Sequence, residues 1–308
     1  MKAHYLFAAL LALSAPSFGA DAPQPANRYA ASLVPAERFE VGSMLVERHG
    51  QRGTPLILVP GLASGAWVWQ DIVRQFAGEH VIYVVTLAGF DGRAPAPGKP
   101  MEAAQQALRD LIVSRKLAKP VLIGHSLGGT LSIALAEQEP ELVGGVVTID
   151  GLPVFPTTED VPLAQRAQMA EGIKARMAGA TPQAFAAQQQ QYMRGVGVTD
   201  IGRADELAKL TAKSDPAAVV QYMGDTLALD LRAGLPKIKA PVLVIAPYFD
   251  VDANGAGITQ DMKTGYYKSL MEGTPKVSVV AVSPARHFAM FDQPQQVADA
   301  IRAYLKSL

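Results

Sequence analysis

The chain has 308 residues, 49% of them hydrophobic and 18% charged, and its 28 basic side chains are balanced by 28 acidic ones. Such a chain can bury a large core, which excludes an intrinsically disordered protein. It contains no basic block and no cysteine. The first absence argues against nucleic acid and anionic membranes as partners, and the second excludes disulfides and thiolate chemistry.

The first 20 residues are typical of a secretory signal peptide. Lys2 precedes an apolar run from Tyr5 to Leu13, and small residues follow as far as Ala20. This run is too short to span a bilayer, and no later segment reaches the roughly 18 continuous apolar residues that a transmembrane helix needs. We therefore expect a cleaved signal and a periplasmic or secreted protein, with a retained anchor as the alternative.

Short apolar runs rich in β-branched residues then alternate with helical stretches. After a strand or hairpin in RFEVGSMLVERHG, the runs are PLILVP, VIYVVTL, PVLIGHS, VGGVVTID, PVLVIAP and VSVVAV. The helical stretches are AWVWQDIVRQFAG, MEAAQQALRDLIVSRKL, LGGTLSIALAEQEPE and QPQQVADAIRAYLKSL. Alternation of this kind predicts an α/β fold with a mostly parallel central sheet and helices on both faces.

The interval from 153 to 236 breaks the alternation, since it contains no convincing strand and is rich in Ala, Gln, Met and Lys. Thr181 and Asp215 each precede a proline, as helix N-caps commonly do. We predict a helical cap or lid at 153–236, inserted between two core segments at 21–152 and 237–308.

The segment from Gly124 to Gly128 reads G-x-S-x-G between a predicted strand and a predicted helix. Its glycines allow a sharp turn that presents the Ser126 hydroxyl above the sheet. The turn also places Ser126 at a helix N-terminus, where the negative charge of acyl transfer is favoured. Ser126 is therefore the predicted nucleophile.

A nucleophilic serine needs a base, and the chain has five histidines to supply one. His4 lies in the signal peptide, His49 and His80 lie in turns, and His125 is held inside the motif itself. His287 follows the last predicted strand and precedes the last helix, at the edge of the sheet where Ser126 is expected. We predict that His287 is the base.

Together these residues resemble the α/β-hydrolase superfamily, through the G-H-S-L-G-G turn, the chain order of serine, acid and histidine, and the segment RHFAMFDQP. The similarity extends over everything after the signal peptide and implies the family's fold and serine chemistry. LILVPGLASGAWVWQDIV is similar to the family's oxyanion loop, although Pro60 replaces the usual histidine. The resemblance implies that the backbone N–H groups of Leu62 and Leu127 form the oxyanion hole.

Three aspartates compete to orient His287. Asp250 follows the strand PVLVIAPY, where the family normally has its acid, so the resemblance favours it, with Asp150 and Asp252 as alternatives. The loop PYFDVDANGAG also has the D-x-D-x-N-G spacing that begins a calcium loop. Because an EF-hand needs an entering helix and this loop follows a strand, we predict no metal site.

Several apolar side chains are candidates for the substrate pocket. Trp67 and Trp69 either anchor the first helix in the core or line the pocket. Met169, Ile173 and Met177 are spaced i, i+4, i+8. All three either pack as an ordinary helix face, or Met169 and Met177 cover the substrate pocket as part of a lid.

These features predict an exported serine hydrolase, best described as a carboxylesterase that cleaves a small or medium-sized ester without a cofactor. Lipase, lactonase, aminopeptidase, acyltransferase and cofactor-free lyase activities are alternatives on the same fold, as is a ligand-binding protein without turnover. The sequence specifies neither the acyl group, nor the alcohol, nor the oligomeric state.

Overall fold

The computed structural model describes residues 27–177, 179 and 181–308, without the side chains of Arg176, Met177 and Asn254. The predicted signal peptide, residues 1–20, lies outside the described residues.

Eight strands of the described chain form one sheet, in the order β1-β2-β4-β3-β5-β6-β7-β8. Strands β3 to β8 are parallel, and β1 and β2 extend the sheet as an antiparallel hairpin. This confirms the predicted mostly parallel sheet and each predicted strand. The bounds are β1 (Glu37–Val41), β2 (Met44–His49), β3 (Leu56–Val59), β4 (Ile82–Thr86), β5 (Val121–His125), β6 (Gly145–Ile149), β7 (Val242–Pro247) and β8 (Val277–Val282).

The helices are α1 (Gln70–Phe76), α2 (Pro100–Ser114), α3 (Leu127–Gln138), α4 (Leu163–Met177), α5 (Pro182–Tyr192), α6 (Ile201–Thr211), α7 (Pro216–Ala228), α8 (Asp250–Ala253), α9 (Gln260–Leu270), α10 (Ala289–Asp292) and α11 (Pro294–Lys306). Helices α4 to α7 lie between β6 and β7, and we call them the helical insertion. None of the helices in the described ranges has the length and apolar character needed to cross a membrane.

The N-caps predicted at Thr181 and Asp215 are confirmed. The Thr181 side chain accepts a hydrogen bond from the Ala184 N–H (3.2 Å), and Asp215 accepts one from the Ala218 N–H (2.8 Å). Each side chain thereby satisfies one of the N–H groups that a helix leaves unpaired at its start.

Apolar side chains cover both faces of the sheet. Successive residues of β5 point to opposite sides. Leu122 therefore joins the core on one face with Leu131 of α3, whereas Ile123 joins the core on the other face with Trp69. All four side chains are fully buried.

The junction between β5 and α3 is packed so closely that glycine is required there. A Cβ atom on Gly128 would lie 2.1 Å from the carbonyl oxygen of Val59, and one on Gly124 would lie 2.2 Å from the carbonyl oxygen of Gly128. Both contacts are with backbone atoms, which cannot rotate away. This close approach fixes the turn that carries Ser126.

We expect Gly128→Ala to lower the free energy of unfolding by roughly 1–3 kcal/mol, because the new methyl group would displace the backbone of β3. Gly172→Ala, in α4, is the matched control. A Cβ atom there meets nothing within 4 Å, so alanine should raise stability by roughly 0.5–1 kcal/mol. Urea unfolding measures both changes. Equal midpoints for the Gly128→Ala variant and the unsubstituted protein would contradict the close packing at this junction.

Candidate active site

Ser126 lies in a strained backbone conformation between β5 and α3. Its φ is 52° and its ψ is −120°, values that a non-glycine residue keeps only when the surroundings enforce them. Its N–H donates to the carbonyl of Ile149 in the adjacent β6 (2.9 Å). The predicted strand-to-helix turn is thus present, with the side chain at the carboxyl edge of the sheet.

A cavity of about 390 Å³ lies between this edge and the helical insertion. Ser126, His287, Leu62 and Leu127, all predicted site residues, line it together with Asp150. The structure therefore brings the predicted nucleophile, base and oxyanion loop to one enclosed space.

His287 is paired with Asp150. Its Nδ1 atom lies 2.5 Å from Asp150 Oδ2, and only 17% and 14% of the two side chains are exposed. Burial acts to raise the pKa of a carboxyl group, but the charge and hydrogen bond of His287 outweigh it and lower the pKa of Asp150 to about 2. The acid is ionised at neutral pH and faces an imidazole N–H.

The structure pairs Asp150 with His287, and not Asp250, which the resemblance favoured as the acid. Asp250 begins α8, is exposed, and accepts a hydrogen bond from the N–H of its neighbour Val251 (2.9 Å). Asp150, by contrast, directly follows β6, the strand beside β5, with a φ of 53°. Because β6 adjoins the strand that carries Ser126, its end lies nearer to the serine than the end of β7 does.

Asp252, the other alternative, contacts the loop between β8 and α10 (residues 283–288), which we call the histidine loop, and not the His287 side chain. Its carboxylate accepts two hydrogen bonds from Arg286, at 2.6 and 2.7 Å. Arg286 precedes His287 in the chain and also donates to the carbonyls of Arg194 (2.8 Å) and Val198 (3.2 Å) in the helical insertion. Asp252 and Arg286 thereby join the loop after β7, the histidine loop and the insertion.

Further hydrogen bonds seat the histidine loop on the insertion. A single π-helical turn, Met193–Gly197, follows α5. The N–H of His287 donates to the carbonyl of Val196 (3.2 Å), and the N–H of Phe288 donates to that of Gly197 (2.8 Å). Turns of this type are frequent at functional sites, and this one fixes the backbone that carries His287.

His125, inside the serine motif, is fully buried, and it contacts both the ring and the backbone carbonyl of His287. Its Nε2 lies 3.0 Å from the carbonyl oxygen of His287. A carbonyl can only accept, so Nε2 carries the proton. Burial and the neighbouring His287 lower the pKa of His125 to about 3, which keeps the ring neutral. The sequence analysis set this histidine aside as a base, and here its Nε2–H is bonded to the carbonyl of His287.

The predicted oxyanion loop lies against the serine. A Cβ atom on Gly61 would lie 3.2 Å from Ser126 Cβ and 2.6 Å from His125 Nδ1. Among the described residues, no backbone carbonyl accepts a hydrogen bond from the Leu62 N–H. Leu127 is the first residue of α3, where a helix leaves its N–H unpaired. Both N–H groups remain available to an oxygen of a bound molecule.

The pocket candidates outside this loop are not confirmed. Trp67 and Trp69 are 1% and 0% exposed and belong to the core, where Trp67 stacks on Phe288, so neither lines the cavity. Met169 is 45% exposed on α4 and also lies off the cavity. The side chain of Met177 lies outside the described residues. The tryptophans contribute packing because their helix faces the sheet.

In the described part of the chain, no group of three or more His, Asp and Glu side chains could hold a metal ion. Both aspartates of the D-x-D-x-N-G loop lie in the short helix α8, and Asp252 is already bound by Arg286.

Comparison with known proteins gives the family. Residues 56–300 match the alpha/beta hydrolase family. The chain belongs to the alpha/beta hydrolases. The position of Ser126 in the turn after β5 and of His287 after β8 agrees with the resemblance seen in the sequence.

Individual relatives are distant. The chain is 26% identical to a pimeloyl-[acyl-carrier protein] methyl ester esterase of Aeromonas salmonicida, over 85% of this chain and 99% of that protein. A thermophilic esterase of Thermogutta terrifontis superposes with a TM-score of 0.68 at 22% identity, over 88% and 99% of the two chains. The enol-lactonase of Burkholderia xenovorans LB400 gives 0.67 at 18% identity, over 88% and 100%. At these identities, the two structures show only that this chain shares their fold.

The sequence analysis did not identify Tyr267 as a site residue. In the structure, this tyrosine provides a second hydrogen bond to Asp150. The hydroxyl of Tyr267, from α9, donates to Asp150 Oδ1, the oxygen that His287 leaves free. Burial and the adjacent carboxylate raise the pKa of Tyr267 well above its usual value, so the hydroxyl stays protonated. In the sequence this tyrosine is one of a pair in QDMKTGYYKSL, and helical spacing with Leu270 is the only signal that it is buried.

We expect Tyr267→Phe to lower kcat of the hydrolase roughly 10-fold or more, because Asp150 loses a hydrogen bond to a charged group and is held less firmly. KM should change less. The low-field proton NMR resonance of the His287 Nδ1–H should also shift, an effect that a purely structural role would not produce.

Tyr266→Phe is the matched control for this prediction, since Tyr266 precedes Tyr267 and its hydroxyl lies 3.0 Å from both carboxylate oxygens of Glu159. It should leave kcat within about twofold, as expected for a partly exposed hydrogen bond away from the site. Equal effects of the two variants on kcat and on the resonance would contradict a role for Tyr267 at Asp150.

Proposed function

We propose that this alpha/beta hydrolase is an exported serine carboxylesterase, which cleaves a small or medium-sized ester through an acyl-enzyme. The observation that carries the proposal is the hydrogen bond between His287 and the ionised Asp150, in the same cavity as the strained Ser126. A serine, an imidazole and a buried carboxylate in this relation are the parts needed for acyl transfer.

In the proposed reaction, the Ser126 oxygen attacks the ester carbonyl while Nε2 of His287 takes the hydroxyl proton. Asp150 orients the ring through Nδ1–H and stabilises the imidazolium that forms. Among the described residues, no hydrogen bond joins the Ser126 hydroxyl to His287, and catalytic contacts of this kind often tighten only when substrate binds. The protonated ring then returns the proton to the departing alcohol.

The N–H groups of Leu62 and Leu127 are proposed to bind the oxyanion of each tetrahedral intermediate. The position of Gly61 against Ser126 Cβ supports this, because it brings the loop beside the reacting atom. Water, activated by His287, next attacks the acyl-enzyme, releases the carboxylic acid and regenerates Ser126. These steps use side chains, backbone N–H groups and water alone.

Two further parts of the proposal rest on other observations. Export is supported by the charged start, short apolar run and small residues of the first 20 positions. A lid role for the helical insertion is supported by its contribution to the cavity wall, in which Val219, Val220 and Met223 of α7 face the serine edge. Lids of this kind exclude water from the reaction.

A serine-reactive fluorophosphonate should label the protein at Ser126 and abolish hydrolysis of a 4-nitrophenyl ester. Ser126→Ala should not be labelled and should lose at least about 10³-fold in kcat, because the covalent step is removed. Intact mass and peptide mapping measure the label. Labelling that persists in Ser126→Ala would contradict the role of Ser126 as the nucleophile.

Asp150→Asn should reduce kcat about 10³–10⁴-fold, because the amide cannot stabilise the imidazolium and favours the wrong tautomer. Asp250→Asn is the matched control and should stay within about twofold, since its carboxylate is exposed and bonds only to the N–H of Val251 among the contacts described. Steady-state kinetics on one ester, with a melting temperature for each variant, decides between them. A collapse of kcat in Asp250→Asn alone would return the acid to the loop after β7.

A further inference from the structure

We infer that the enzyme selects esters whose acyl part is uncharged and apolar, and that it discriminates strongly against acyl groups that end in a carboxylate. This inference rests on the proposed esterase function and concerns the same cavity. It follows from which side chains form the cavity wall and from the sign of the charge that they leave in it.

Two apolar surfaces form most of the wall around the serine. One is the segment after β6, which contributes Leu152, Val154 and Phe155, and the other is α7 of the helical insertion, which contributes Val219, Val220 and Met223. Val154 pairs with Asp230, just after α7, through an isolated β-bridge, so the two surfaces are tied together. An alkyl chain in this space gains about fourfold in binding for each methylene removed from water.

The described wall of the cavity carries one carboxylate, that of Asp150. The ionisable side chains among its described lining residues are His125, Asp150, Tyr192, Tyr267 and His287, and neither lysine nor arginine occurs among them. His125 is neutral because its pKa lies at about 3. The phenols of Tyr192 and Tyr267 are both neutral at pH 7, and burial together with the Asp150 carboxylate raises the pKa of Tyr267 further. Asp150 is the one carboxylate among these residues, and its two oxygens already contact His287 and Tyr267.

Two cations outside the described cavity lining, Lys263 and Arg286, already interact with groups of the protein, and the charge of Lys263 helps to lower the pKa of Asp150. Lys263 Nζ lies over the ring of Tyr267, 5.6 Å from its centroid, and Lys263 is not part of the cavity lining. Arg286, beside the base, is held by both oxygens of Asp252. A second carboxylate in the cavity would lose its water without gaining an ion pair, and it would also be repelled by Asp150.

Three 4-nitrophenyl esters of nearly equal shape test this inference. They are the 6-methylheptanoate, the 5-carbamoylpentanoate and the monoester of adipic acid, whose acyl chains end in an isopropyl, an amide and a carboxylate group. All three release the same alcohol, so differences in kcat/KM at neutral pH report the acyl end. We expect the isopropyl ester to be the best substrate and the carboxylate ester to fall at least about 100-fold below the amide ester.

A substitution in the wall should reverse the preference. Met223 is only partly buried, so a longer polar side chain can be accommodated there. Met223→Lys should raise the carboxylate-to-amide ratio of kcat/KM at least about 10-fold, whereas Met223→Gln, of similar length and uncharged, should leave that ratio within about twofold. The melting temperature of each variant confirms that it is folded, and the wild-type comparison stands without either variant.

The possible outcomes separate this inference from the proposed function. If the carboxylate ester is hydrolysed within about threefold of the amide ester, charge selection is overturned while esterase activity stands. If none of the three esters is hydrolysed and the fluorophosphonate does not label Ser126, the proposed function fails and the inference fails with it.

Discussion

The arrangement of the site depends on one buried anion, the carboxylate of Asp150. Removing a carboxylate from water costs several kcal/mol unless hydrogen bonds and an opposite charge replace the lost hydration. Here His287 and Tyr267 each contact one oxygen. They come from the loop after β8 and from α9, so a single charge directly after β6 connects two elements from the last third of the chain.

Much of the fold could be read from the sequence because it depends on local patterns. Runs such as PVLIGHS and PVLVIAP are apolar at every position, as strands covered on both faces must be. Ser126 was predictable because strand, glycines and helix occur together, and His287 because few histidines exist and only one follows the last strand. These inferences need the order of elements but not their packing.

The choice among the aspartates required information that the sequence does not contain. Asp150 and Asp250 both follow buried strands, but only the order of strands in space shows that β6 adjoins β5. The chain then turns at each strand end in a way set by tertiary contacts. Asp250 enters a helix and faces solvent, whereas Asp150 adopts a φ of 53° and faces the cavity. Tyr267 was missed for the same reason, since its role depends on where α9 packs.

The pairing of Arg286 with Asp252 has a consequence for how the protein could change. Arg286 lies next to His287 and binds backbone carbonyls of the helical insertion, so the position of the insertion and that of the imidazole are coupled through this residue. The insertion is therefore not an interchangeable accessory whose exchange would alter substrate choice alone. A substitution in the π-helical turn would change kcat as well as substrate preference. Specificity and rate in this protein would therefore evolve together.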